Sequence, residues 1–123
     1  VPLVLIAEDE APIAEVVAEV IKDLGCEAIV ATHGKRALEL ARERWPALVL
    51  TDLMMPFLDG VDLIAELRRD ARERVGQPFP VVIIMTAAGL DRAKRAGADA
   101  VLRKPFDIST LEDLIRRLLG LST

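Results

Sequence analysis

One cysteine, Cys26, and one histidine, His33, are the only soft metal ligands the chain offers apart from its methionines. An internal disulfide is excluded, and so is a zinc or iron centre built from a Cys/His cluster. Any bound metal must be held by oxygen. Long apolar runs are missing as well: none approaches the ~20 residues that cross a bilayer. The opening VPLVLIAEDE lacks the cationic region and cleavage site of a secretory signal, so a soluble, cytoplasmic chain is expected. Positive charge is not in excess. A net charge of −4 argues against wrapping nucleic acid or lying on an anionic membrane.

What is present is the balance of a folded protein, with 52% hydrophobic and 29% charged residues in 123 positions. That length suits one core, and a single domain over residues 1–123 is expected. Short apolar runs at Leu3 to Ala7, Cys26 to Ala31, Ala47 to Thr51, Val81 to Thr86 and Ala100 to Arg103 read as strands. Each is followed by a stretch with helical spacing. Ile13, Val16, Val17, Val20, Ile21 and Leu24 draw one apolar stripe, opened by Pro12 and closed by Gly25. At the far end, Leu111, Leu114, Ile115, Leu118 and Leu119 draw another, with Asp107 or Ser109 as cap and Gly120 as stop. Helices near Lys35 to Arg44, Val61 to Ala71 and Leu90 to Ala96 complete the alternation. Strands that are apolar throughout, rather than on alternate residues, imply an α/β protein whose five-stranded parallel sheet is covered on both faces.

In a doubly wound sheet of the common order 2-1-3-4-5, ligands sit beyond the carboxyl ends of the strands, at the point where strand order reverses. The first strand runs into Glu8-Asp9-Glu10, the third ends at Asp52, the fourth at Thr86, and the fifth delivers Lys104-Pro105. Strands 1 and 3 are neighbours in that order, so Glu8, Asp9 and Asp52 should converge. Crowded carboxylates repel and call for a cation. An all-oxygen site favours Mg²⁺ or Mn²⁺. With Thr86 and Lys104 adding a hydroxyl and an ammonium, the set has the parts of a phosphoryl-transfer site.

The acidic turn Glu8-Asp9-Glu10, the segment from Asp52 to Pro56 with Gly60 beyond it, the pair Thr86-Ala87, and Lys104-Pro105-Phe106 stand in one order along the chain. In this the sequence resembles the receiver domain of a two-component response regulator over essentially its full length. The resemblance implies a flavodoxin-like (βα)5 fold and a phosphoacceptor rather than a turnover enzyme. Asp52 is implied as the nucleophile toward a phosphohistidine on a histidine kinase or histidine phosphotransfer protein. Mg²⁺ is implied on Asp9, Asp52 and the backbone carbonyl of Met54, with Glu8 acting mainly through a water. Lys104 and Thr86 are implied as partners of the phosphoryl oxygens. Pro105 is implied to follow a cis bond that aims the Lys104 ammonium into the site, and Ala87 to keep the approach open.

Other readings are weighed beside these. A phosphatase with an aspartate nucleophile, of the haloacid dehalogenase kind, needs a second Asp where Met54 stands. A pseudo-receiver serving only as a binding module has no physical reason to keep charges that repel. Outside the site, His33 reads as a surface loop residue, Cys26 as a small buried hydrophobe, and Trp45 as packing at the amino end of the third strand. Arg68, Arg69, Arg72 and Arg74, alternating with acids, read as a solvated helix face. Departures from the family pattern are also visible. Thr86 and Lys104 are 18 residues apart, about one helical turn fewer than usual, which predicts a shortened fourth helix. Val101 stands where receivers usually carry an aromatic switch, and Thr110 and Leu114 replace the Glu and Arg of a familiar dimer interface.

Overall fold

Apolar, mostly β-branched or leucine-rich runs form the centre of the computed structural model, which describes residues 1–121. The strands are β1 (Leu3–Ala7), β2 (Glu27–Ala31), β3 (Leu48–Asp52), β4 (Val81–Thr86) and β5 (Ala100–Arg103), all parallel and ordered β2-β1-β3-β4-β5. Two boundaries differ from the expected ones. β2 begins at Glu27 rather than Cys26, and β3 is shifted by one residue so that Asp52 is its last member. The helices are α1 (Ala11–Asp23), α2 (Gly34–Glu43), α3 (Gly60–Ala71), α4 (Leu90–Arg95) and α5 (Ile108–Leu119).

Side chains alternate across the sheet. Val4, Ile6, Leu48, Leu50, Ile83 and Met85 point to the face covered by α1 and α5. Leu5, Ala7 and Val49 meet α2 and α3 on the other face, while Val82 and Ile84 meet Ile64 of α3 and Ala93 of α4. Each fully buried Leu or Ile contributes about 1.5–3 kcal/mol of transfer free energy, so these layers dominate the stability of the sheet. Both expected helix stops hold: Gly25 and Gly120 adopt φ of +84° and +67°, a region costly for residues with a Cβ. Asp107 is the α5 N-cap residue by backbone, with no side-chain capping bond. The fourth helix is short, as expected, with six residues of which only Ala93 is buried.

Several outlying residues are held more firmly than the sequence suggested. His33 is the N-cap of α2, its Nδ1 accepting the Arg36 N–H at 3.1 Å. The arginine group is not uniformly solvated, because two members satisfy loose carbonyls. Arg68 donates to Gly97 O at 3.1 Å and stacks over Phe79; Arg74 donates to Arg42 O at 2.8 Å and stacks over Trp45. Trp45 itself lies just before β3 at its amino end, its indole N–H bonded to Pro78 O at 3.1 Å. Cys26 is buried, as expected. No helix among the described residues is long and apolar enough to cross a membrane.

Candidate phosphoryl-transfer site

Register brings the strand ends level. Ala7 pairs with Thr51, so Glu8 lies one step beyond β1 beside Asp52. Thr86 pairs with Arg103, so Lys104 lies one step beyond β5, its N–H bonded to Thr86 O at 2.9 Å. Gly60 completes the floor: a Cβ there would lie 2.4 Å from the Asp52 carbonyl oxygen, and its N–H donates to Leu53 O at 2.9 Å. Only glycine lets α3 begin so near the strand end.

Glu8, Asp9 and Asp52 converge as expected, with one carboxylate oxygen from each lying within 4.8 Å of the others. Glu8 is fully buried, Asp52 nearly so, and Asp9 is exposed at the mouth. The repulsion inherent in this cluster is answered by Lys104. Its Nζ donates to Glu8 Oε1 at 2.5 Å and to Asp52 Oδ2 at 3.2 Å, and the Lys104–Pro105 bond is cis. Burial alone pulls the ammonium pKa down, but the hydrogen bonds and charges of Glu8 and Asp52 outweigh it and hold Lys104 above its ordinary value. The remaining acceptors are engaged too. Glu8 Oε2 takes the Glu10 N–H at 3.2 Å and Asp52 Oδ1 takes the Leu53 N–H at 3.1 Å. Thr86 Oγ1 donates to Ala88 O and accepts the Ala88 N–H at 3.2 Å, which ties it to the loop after β4.

A cavity of about 470 Å³ opens over Asp52, lined also by Thr86, Ala87, Ala88, Met54 and Lys104. The hard oxygen donors of Glu8, Asp9 and Asp52 suit a small divalent cation, and the neighbouring hydroxyl and ammonium suit anionic oxygens. Pro105 lies outside this cavity and lines an adjoining apolar groove. Two residues with no part in the expected site also shape it. Arg92 of α4 lines the cavity, contacts Met54 Sδ at 3.7 Å, and pairs with Asp59, the N-cap of α3. Their only trace in the sequence was a cation shortly after Thr86.

The comparisons agree with this architecture. The family model for the response regulator receiver domain matches residues 4–116. Response regulator Rre1 of Synechocystis is 38% identical over 121 residues, covering 94% of this chain and 51% of that protein. The chain thus spans about half the length of the curated relatives it matches. Among solved structures, the Francisella response regulator 1452 receiver domain superposes with a TM-score of 0.81 at 31% identity, covering 98% of each chain. The receiver domain of sensor histidine kinase PA1611 from Pseudomonas aeruginosa has a TM-score of 0.82 at 26% identity, covering 97% of this chain and 98% of its own, and holds a magnesium ion in its active site cleft. With strand order, acidic cluster and sequence match in agreement, the chain belongs to the response regulator receiver domain family.

Proposed function

We propose that Asp52 is the phosphoacceptor of a two-component pathway and that the chain over 1–123 works as one receiver domain in the cytoplasm. The donor is a phosphohistidine on a histidine kinase or a histidine phosphotransfer protein. A carboxylate oxygen of Asp52 attacks phosphorus, the P–N bond breaks, and the imidazole leaves with its electron pair, giving the acyl phosphate. The observation that carries this reading is the Lys104 ammonium 3.2 Å from Asp52 Oδ2, in the cavity that also holds the Thr86 hydroxyl.

Glu8, Asp9, Asp52 and the Met54 carbonyl would hold Mg²⁺ or Mn²⁺, and their hard oxygen donors suit either ion. When bound, the ion supplies neutralisation of the charge on the transferring group. The protein's own groups do the rest. Lys104 exchanges Asp52 for a phosphoryl oxygen, Thr86 turns its hydroxyl from Ala88 O to another, and Ala87 leaves room for both. The chain is a phosphoacceptor rather than a turnover enzyme: Met54 stands where an aspartate phosphatase needs its acid–base carboxylate.

Next to the site runs the apolar groove of about 510 Å³, between α1 and the start of α5, walled by Ile13, Val16, Pro105, Phe106 and Ile108. Lys104 and Ala87 border both hollows. This continuity suits an apolar helix that carries the donor histidine, laid in the groove with its imidazole toward Asp52. The test is incubation with acetyl phosphate and Mg²⁺, followed by intact mass. One adduct of ~80 Da on the wild type and none on Asp52→Asn is expected, since the nucleophilic oxygen is gone. Full labelling of Asp52→Asn would overturn the assignment.

A further inference from the structure

Arg92 and Lys104 are the two cationic side chains lining the Asp52 cavity, and they belong to different elements. Lys104 is committed to Glu8 and Asp52. Arg92 is committed elsewhere, to Asp59 Oδ2 and, through its other terminal nitrogen, to Met54 Sδ at 3.7 Å. We propose that Arg92 is a phosphoryl-sensing latch, which leaves Asp59 for the phosphoryl group on Asp52 and draws α4 with it. The inference rests on Asp52 being the phosphoacceptor.

The exchange has the right energetics on both sides. Arg92 is 44% exposed and Asp59 21% exposed in side chain, and an ion pair this open to water is weakly held. A phosphoryl group offers about −2 charge and three acceptor oxygens, and a planar guanidinium can meet two of those oxygens at once. Asp59 is not orphaned when Arg92 departs. Its Oδ1 keeps the Asp62 N–H at 2.9 Å and so continues to cap α3. The element that carries Arg92 is also easy to displace. α4 has six residues and one buried side chain, Ala93, and is preceded by the N-cap residue Gly89, whose φ is +78°. Movement of Arg92 toward Asp52 therefore releases α4 from the α3 N-cap, because the pair that is given up, Arg92 with Asp59, joins the two helices directly.

The test uses phosphoramidate with Mg²⁺ as the donor and follows the labelling rate by intact mass in the wild type, Arg92→Gln, Asp59→Asn and the double variant. Losing one charge-assisted hydrogen bond to the phosphoryl group should slow Arg92→Gln about tenfold. Asp59→Asn should label faster than wild type, since Arg92 has lost its competing anion, and the double variant should match Arg92→Gln. Hydrogen exchange across Leu90–Arg95 should change on labelling in the wild type and not in Arg92→Gln. A wild-type rate for Arg92→Gln would overturn the latch while leaving Asp52 as acceptor. So would a rate gain from Asp59→Asn that persists without Arg92, or a labelled Arg92→Gln that shows the wild-type change in α4. Failure of the wild type to take any label overturns both readings.

Discussion

Lys104 Nζ lies 2.5 Å from Glu8 Oε1, joining the last strand end to the first across 96 residues of chain. Glu8 is fully buried and Lys104 is 17% exposed in side chain, so the pair is largely withdrawn from water. Lys104→Ala leaves the Glu8 carboxylate buried beside Asp52 with no cation. Breaking such a pair costs about 3–5 kcal/mol when fully buried and somewhat less here. Mg²⁺ should restore part of that loss by supplying the missing charge. Urea denaturation with and without Mg²⁺ is therefore expected to show a larger metal-induced gain in Lys104→Ala than in the wild type. An equal gain would mean that ion and ammonium do not answer the same charge.

Gly60 offers a test of how tightly the floor of the site is built. Its added Cβ would meet the Asp52 carbonyl at 2.4 Å and Leu53 Cα at 3.2 Å, both backbone atoms with no rotamer to yield. Gly60→Ala should cost about 1–3 kcal/mol as an overpacking change, although alanine favours helices. It should also slow phosphoryl labelling, since the strand end that carries Asp52 must move. A variant as stable as wild type would show that α3 can retreat freely.

Much of this arrangement is legible in the sequence because it follows from local pattern. The stripe from Ile13 to Leu24 gives most of the buried face of α1, with Val16 half exposed beside the apolar groove and Ala14 and Ala18 buried in addition, and the continuous strands set every site residue at a carboxyl end. Glu8, Asp9 and Asp52 then converge through strand order alone. Arg92 escapes such reading for a physical reason. α4 is too short to show a periodic face, and the partner of Arg92 lies 33 residues earlier at a helix cap. Arg68 and Arg74 are likewise given their roles by carbonyls and rings remote in sequence, so composition reads them as merely solvated. For the acidic cluster the sequence points to a divalent metal together with the Lys104 ammonium. The fold pairs that ammonium with Glu8 as well as Asp52.

Asp59 gives a pH dependence with a definite sign. Burial alone would raise its pKa, but the Asp62 N–H and Arg92 outweigh that and hold it below the ordinary carboxylate value. Its folded-state pKa is thus depressed, so its contribution is present above the unfolded value and lost as pH falls through the folded one. Asp59→Ala, which removes both cap and ion pair, should cost about 1–2 kcal/mol at pH 7, with the ion pair a minor share because Arg92 is exposed. The gap to wild type should hold down to about pH 4 and narrow below it. Denaturation midpoints across that range check this, and a gap that grows on acidification would contradict it.

The lifetime of the acyl phosphate should be long, because the two cavity positions that lie two residues beyond Asp52 and Thr86 carry side chains that cannot orient a water. Hydrolysis needs a water in line with phosphorus, and a polar side chain nearby speeds it by orienting that water. Met54 and Ala88 both line the cavity, two residues beyond Asp52 and Thr86 respectively, and neither side chain can perform that task. Met54, 65% exposed with its sulfur beside Arg92, is positioned at the rim as an apolar cover. One well-placed orienting group is commonly worth ~10²-fold or more. A Met54→Asn, Ala88→Glu double variant should therefore lose its phosphoryl group several-fold to about a hundredfold faster than wild type under the same Mg²⁺, followed by intact mass after removal of the donor. Arg92 gives this comparison a useful control. If Met54→Asn acted only by freeing Arg92 from the thioether, decay would slow rather than quicken, since an arginine on the phosphoryl group shields it. Faster decay in the double variant assigns the long lifetime to the missing water-orienting groups, and equal or slower decay removes that explanation.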